Sequence, residues 1–153
     1  MSKIWNQIKD INIVLSSNLK NEFTCKFDSK VPEEMKAKLL QFVGWVEKTY
    51  GLKTPVYVQF EQKNYVLTED RERVGYLFYW ADFDNYPNFD DEEDIPVIVL
   101  PVKDEQWTYE EIIGSFVEAL TDYYAWCLNI IEDYELDEEE VEEIAESYLK
   151  TLK

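Results

Sequence analysis

The chain has 153 residues, of which 46% are hydrophobic and 16% aromatic, and 33 acidic residues against 15 basic ones give it a formal net charge of −18. This length suits one domain with a core of its own, so residues 1–153 are predicted to form a single acidic domain. The charge disfavours direct binding to nucleic acid or anionic lipid and favours a basic protein partner. Histidine is absent, which excludes zinc sites with imidazole ligands and nucleophilic systems that use histidine as the base.

Two strands and a helix are predicted in the first third of the chain. Alternating apolar side chains predict strands at residues 11–15 and 23–27, which would form a hairpin or a flanking pair. Pro32 is expected to open a helix as its first residue, and Gly51 is expected to cap the helix end. The predicted buried face of this helix consists of Leu39, Val43, Val46 and Tyr50.

Three further strands are predicted, at residues 55–60, 74–80 and 95–102. The second is strongly aromatic, and we expect it to pair with neighbours on both sides. Pro96 and Pro101 restrict the ladder bonds of the third strand to its middle or to one edge.

Two helices are predicted to close the domain. Thr108 is expected to cap the first, with Glu111 three residues on as a capping box prefers. Its predicted buried face consists of Ile112, Phe116, Leu120 and Tyr123. The second helix, at about residues 137–152, would bury Val141, Ile144, Ala145, Tyr148 and Leu152. The order predicts an α+β fold, a small mixed or antiparallel sheet with a helix before it and a long helix plus a closing helix after it.

The segment at residues 118–129, EALTDYYAWCLN, carries the most specific pattern. It resembles the active-site helix of the minimal zincins, the SprT-like and gluzincin-like metallopeptidases, whose pattern is close to H-E-L-T-H-Y-F-Q-W-x-N. Full or approximate agreement extends to Leu120, Thr121, Tyr123 and Trp126, Asn129 lies one position beyond the asparagine of the pattern, and Tyr124 replaces a similar aromatic residue. Glu118 and Asp122 stand where the resemblance implies the two histidines, and Ala119 stands where it implies the catalytic glutamate. The segment therefore predicts a pseudoenzyme, with the frame of a metallopeptidase and without its chemistry.

The resemblance also implies a third ligand, a glutamate on a later helix, and Glu139 or Glu140 could align with it. Together with Glu118 and Asp122, one of these could form an all-oxygen site for a hard cation such as calcium or magnesium. The alternative is that these carboxylates form a solvated helix face. Because Ala119 cannot accept a proton from bound water, the sequence predicts no peptidase activity, and we expect no metal and no other cofactor.

The acidic segment that follows the aromatic strand is the second candidate site. It begins like a calcium-binding EF-hand, but Tyr86 and Pro87 occupy a ligand position and the glycine position of that motif. It is either a solvated loop or a contact surface where carboxylates pair with Arg or Lys and aromatic rings act as anchors. The predicted partner-binding residues are Asp82, Asp84, Tyr86, Phe89, Asp90, Asp91, Glu92 and Glu93.

The remaining features concern the compartment. Cys25 and Cys127 make no C-x-x-C pair, and we expect both to be small buried apolar residues in a reducing environment. No apolar signal segment follows Met1 and no apolar run approaches membrane-spanning length, so the sequence predicts a cytoplasmic protein.

These observations predict a non-catalytic protein-binding domain. The leading hypothesis is an immunity protein that neutralises a basic bacterial toxin, in particular a nuclease, by covering its cationic face. The alternative is a pseudo-metallopeptidase that binds a peptide or a divalent cation in the old cleft between residues 74–80 and 118–129.

Overall fold

A computed structural model describes most of the chain, namely residues 4–9, 23–51, 54–63, 65–68, 70–79, 96–102, 108–128 and 135–152. Within these ranges the helices are α1 (Ile4–Lys9), α2 (Glu33–Thr49), α3 (Tyr109–Cys127) and α4 (Glu138–Lys150). The strands are β1 (Phe23–Phe27), β2 (Val56–Glu61), β3 (Val66–Leu67), β4 (Arg73–Val74), β5 (Leu77–Tyr79) and β6 (Val97–Pro101).

Four of the strands form one mixed sheet in the order β1-β2-β6-β5. Strands β1, β2 and β6 run parallel, and β5 runs antiparallel to β6 at the edge of this order. Strands β3 and β4 form a separate antiparallel hairpin. This arrangement confirms the predicted α+β fold with a mixed sheet and with helices before and after it.

One face of the sheet packs against the helices. Side chains alternate between the two faces of a strand, so every second residue points to the helix layer. On β2 and β6 the side chains that point to the helices are at most 1% exposed: Val56, Val58, Phe60, Ile98 and Leu100. They pack with the apolar faces of α2 and α3, and ring contacts such as Phe60 to Phe116 at 5.7 Å join the two layers.

The first third of the chain follows its local signals closely. Strand β1 coincides with the strand predicted at 23–27, and its pairing with β2 is parallel. The strand predicted at 11–15 lies outside the described residues. Pro32 was expected to be the first residue of a helix, but it is the N-cap of α2, and the helix begins one residue later at Glu33. Gly51 caps the helix as predicted, since its φ is 84° and its N–H donates to the Val46 carbonyl at 3.1 Å.

The prediction of one continuous strand at 74–80 was wrong for its described part. Strand β4 ends at Val74 and β5 begins at Leu77, so the chain changes partners at Gly75 and Tyr76. A Cβ atom on residue 75 would lie 3.2 Å from Ser115 Oγ, which shows how closely the backbone approaches α3 there. Within the described ranges β5 pairs with β6 alone, so pairing on both sides is not observed.

The closing helices begin as predicted. Thr108 forms the full capping box with Glu111, and the Asp137 side chain caps α4 by accepting from the N–H groups of Glu139 and Glu140. The predicted burial of Leu152 was wrong: α4 ends at Lys150, and Leu152 is 43% exposed.

Hydroxyl groups hold the two closing helices on α2. The Tyr109 hydroxyl lies 2.7 Å from the Tyr148 hydroxyl and donates to the Lys38 carbonyl at 3.0 Å. Tyr148 also packs edge-on against Phe42, with ring centroids 4.9 Å apart. The start of α3, the end of α4 and the middle of α2 therefore meet in one cluster.

Cys25 and Cys127 are not joined in a disulfide bond in the folded chain. Cys127 is buried, as predicted, whereas Cys25 is only partly buried on edge strand β1. Burial, followed by the charge of Glu47, raises the pKa of Cys25 to about 11, so this thiol stays protonated and unreactive at neutral pH. None of the helices in the described ranges has the length and apolar character that crossing a bilayer requires.

Candidate functional site

The zincin-like segment forms the second half of α3 and ends just beyond it, with Asn129 outside the described residues. Glu118 and Asp122 lie one turn apart and are both half-buried, so they share one side of the helix. The intervening Ala119 is completely buried and provides no titratable group. The pair thus sits where the resemblance implies two metal ligands.

Asp122 already has a protein partner. The Tyr76 hydroxyl donates to Asp122 Oδ2 at 2.7 Å, linking the residue before β5 to α3. Burial raises the pKa of Asp122, and the hydrogen bond from Tyr76 opposes that shift. Burial also raises the pKa of Glu118, with smaller contributions from the charges of Asp122 and Glu138. The two carboxyl groups therefore hold protons more tightly than exposed ones.

The predicted third ligand does not join this pair. Glu140 is only 2% exposed, and its Oε1 accepts hydrogen bonds from the backbone N–H groups of Ile4 at 2.9 Å and Trp5 at 3.0 Å. Glu139 is exposed in the first turn of α4. Across the described ranges, no group of three or more Asp, Glu, Cys or His residues is arranged to hold a metal ion. In the described ranges Glu118 and Asp122 are thus not grouped with Glu139 or Glu140 into such a site, since Glu140 caps α1 and Glu139 is exposed.

Several residues that match the zincin pattern have structural partners here. The Thr121 hydroxyl donates to the Val117 carbonyl at 2.6 Å and accepts from Trp5 Nε1 at 2.9 Å. The Tyr123 hydroxyl bonds to both the N–H and the carbonyl of Thr54, each at 3.0 Å. Tyr124 donates to the Gly51 carbonyl at 3.0 Å. These contacts give the matching residues a role in packing α3 against α1 and the loop before β2.

The predicted cleft between residues 74–80 and α3 is bridged by direct contacts. Besides the Tyr76 to Asp122 bond and the close approach of Gly75 to Ser115, the Phe78 ring packs edge-on against Tyr123 at 6.4 Å. The chain from Gly75 to Phe78 thus packs on the helix at these positions.

A groove lies instead on the opposite face of the sheet, beside the β3–β4 hairpin, and we call it the hairpin groove. It has a volume of about 670 Å³. Its lining includes Gln59, Glu61, Gln62, Lys63, Leu67, Leu77 and Tyr79. Leu67 and Tyr79 are 49% and 46% exposed, so the groove presents apolar surface beside amide and carboxylate oxygens.

The predicted partner-binding residues Asp82, Asp84, Tyr86, Phe89, Asp90, Asp91, Glu92 and Glu93 lie outside the described residues. The described chain ends before them at Tyr79 and resumes after them at Pro96. Tyr79 pairs in register with Val97, so β5 and β6 are adjacent at the two ends of this segment. Since Tyr79 also lines the hairpin groove, the last described residue before the acidic segment lies at that groove.

Sequence reasoning missed both α1 and the hairpin groove. The apolar spacing of Ile4, Trp5 and Ile8 was the available signal for a helix face, and all three are buried. The hairpin had little signal, because each of its strands is only two residues long. Comparison with known proteins adds no assignment: the chain matches no protein-family model, no curated protein and no solved structure.

Proposed function

We propose that this chain is a non-catalytic domain that binds a cationic protein. The observation that carries the proposal is the separation of charge among the described helices. Helix α3 contains no lysine or arginine, and Lys150 is the single basic residue of α4. Their exposed acidic residues are Glu110, Glu111, Glu138, Glu139, Glu142, Glu143 and Glu146.

Helix α4 keeps this charge at a cost to its own stability. Glu138 and Glu142 lie four residues apart, as do Glu142 and Glu146, and each like-charge pair at this spacing destabilises a helix by about 0.2–0.5 kcal/mol. The helix dipole favours acidic residues only in the first turn, so it does not offset the repulsion at Glu142 and Glu146.

Helix α2 shows the opposite arrangement. Lys36 lies 3.1 Å from Glu33, and Lys38 lies 3.8 Å from Glu34, so acidic and basic residues alternate along its exposed surface. A one-sided acidic surface on α3 and α4 supports a function in attracting a partner of opposite charge, because local stability alone would favour the pattern of α2.

The partner that fits this surface best is a basic nuclease toxin, and the chain would act as its immunity protein. A nuclease needs a cationic surface to hold the phosphate backbone of its substrate, and an acidic protein competes for that surface. The acidic α3–α4 surface would accelerate the encounter, while the segment with Asp82 and Glu93 at its ends remains the predicted contact.

The experiment is affinity purification with the tagged chain, identification of the bound protein and titration of its affinity against salt. We expect a partner with a positive net charge, whose nuclease activity is lost at one equivalent of this chain. We also expect the affinity to fall steeply between about 0.05 and 0.5 M salt, since the Debye length shrinks across that range. An acidic partner, or an affinity indifferent to salt, would contradict the proposal.

The pseudo-metallopeptidase alternative stays a prediction that no feature of the described residues favours. Asp122 is bonded to Tyr76, and Glu140 is bonded to α1. Calorimetry with calcium, magnesium and manganese tests its cation version directly, and heat of binding that disappears in Asp122→Asn would revive it.

A further inference from the structure

We propose that the hairpin groove is a binding pocket for an arginine side chain of the cationic partner. This inference rests on the proposed function and adds the chemical group through which the partner is anchored. A groove of about 670 Å³ falls within the usual size range of ligand pockets and accommodates one long side chain with its neighbouring backbone.

The polar side of the groove contains hydrogen-bond acceptors next to the Lys63 ammonium. Glu61 contributes a carboxylate, and Gln59 and Gln62 contribute amide oxygens. Gln62 Oε1 is buried and has no hydrogen-bond partner within the described part of the chain. Buried polar atoms without a partner are uncommon, and they call for a missing donor. A guanidinium group carries five N–H donors in a planar fork, so it can bond to the Glu61 carboxylate and, once the covered Gln62 side chain turns toward the groove, to its amide oxygen as well.

The apolar side of the groove suits the rest of an arginine side chain. Leu67 and Leu77 provide surface for its methylene groups, and the exposed Tyr79 ring provides an aromatic face for its cation. The same hairpin already contains such a contact, because the Arg73 guanidinium carbon lies 4.5 Å from the centre of the Tyr65 ring.

The present partner of Glu61 is easily displaced. Lys63 Nζ lies 3.4 Å from Glu61 Oε2, and the Lys63 side chain is 62% exposed. An exposed lysine–carboxylate pair contributes little to stability, so an incoming guanidinium can replace it with a bidentate contact.

The place of the groove in the fold agrees with this assignment. It adjoins Tyr79, the last described residue before the acidic segment that is predicted to contact the partner. The net charge of −18 favours a cationic occupant over an anionic or neutral one of similar shape.

The first test uses N-acetyl-arginine amide as the probe, with N-acetyl-citrulline amide as a neutral control of the same shape and N-acetyl-lysine amide as a control of the same charge. Titration is followed by ¹H–¹⁵N NMR. We expect saturable shifts centred on Gln59, Gln62 and Tyr79 with the arginine probe and much smaller ones with both controls. Equal shifts with the lysine amide, or no shifts at the groove, would overturn the assignment.

The second test compares Glu61→Gln with Glu142→Gln, which removes the same charge from the exposed face of α4. We expect Glu61→Gln to weaken binding of the arginine probe about tenfold, as the loss of one charge-assisted hydrogen bond does. Glu142→Gln should change it by less than about twofold, since a distant exposed charge is screened. Equal effects of the two variants would show diffuse attraction and no pocket.

Tyr79→Leu provides a third variant that keeps an apolar side chain at an exposed position, so the fold is retained. It should weaken the arginine probe more than the lysine probe, because a guanidinium stacks on an aromatic ring. Failure of all the probe experiments, together with capture of a basic partner, would overturn this inference alone. Binding of arginine at the groove without any basic protein partner would instead overturn the proposed function.

Discussion

The Trp5 indole N–H donates to the Thr121 hydroxyl at 2.9 Å and joins the first helix to the middle of α3. Both side chains are completely buried, and the Trp5 ring packs edge-on against Tyr50 and Tyr124, each at 4.9 Å. Thr121 is one of the residues that resemble the zincin helix. In this chain the Thr121 hydroxyl holds α1 against α3 inside the core.

Replacement of Thr121 by valine tests this contact. The substitution keeps the side-chain shape but leaves the indole N–H buried without an acceptor, which costs about 1–3 kcal/mol. We expect the free energy of unfolding, measured by urea titration, to fall by that amount. Thr121→Ser retains the hydroxyl and should lose less than the valine variant. A loss in Thr121→Ser as large as in Thr121→Val would contradict this account, because it would show that the methyl group contributes at least as much as the hydrogen bond.

Glu140→Gln tests the buried carboxylate that caps α1. The charge strengthens the hydrogen bonds from Ile4 and Trp5, and a neutral amide in its place should lower the free energy of unfolding by about 1–2 kcal/mol. Glu139→Gln is the matched control on the exposed side of the same helix, and it should stay within about 0.5 kcal/mol of the parent chain. A loss in Glu139→Gln as large as in Glu140→Gln would contradict the capping role.

Tyr123→Phe tests the link between α3 and the loop before β2. Without the hydroxyl, the buried backbone N–H and carbonyl of Thr54 lose their partner, and we expect a loss of about 2–3 kcal/mol in urea titration. Tyr124→Phe removes one bond to the carbonyl of Gly51, which is less buried, and should cost less. The reverse order of the two losses would contradict this account.

The carboxyl pair on α3 predicts a specific dependence of stability on pH. Burial raises the pKa of both Glu118 and Asp122 in the folded chain, so folding favours their protonated forms. When the pH is above the pKa values of the folded chain, both groups are charged and the pair destabilises the fold by its full amount. When the pH falls below the pKa values of the unfolded chain, both groups are protonated and this destabilisation is gone. Stability attributable to the pair therefore falls as pH rises through this acidic window.

Glu118→Gln measures that contribution. The variant should be more stable than the parent chain at neutral pH, and the gain should vanish in acid. Glu142→Gln corrects for the general relief of negative charge. A gain that persists unchanged below the unfolded pKa of a glutamate would contradict the assignment to titration.

The sequence by itself determined where several helices begin and end and which of their faces are buried. Thr108 and Glu111 form the predicted capping box, and Gly51 adopts the positive φ that a helix C-terminus requires. These features depend on hydrogen bonds between residues a few positions apart, and side-chain periodicity is equally local. The absence of histidine likewise excluded an imidazole zinc site without any structure.

The tertiary structure alone decided what the acidic side chains of Glu140 and Asp122 contact. Glu140 lies 136 residues from Ile4 in sequence, and Tyr76 lies 46 residues from Asp122, so neither partner could be predicted from local spacing. The parallel pairing of β1 with β2 and the position of the hairpin groove likewise depend on contacts between residues far apart in the sequence. The physical reason is that convergence of distant side chains depends on how helices and strands pack, and each element permits many packing partners with the same exposed and buried faces.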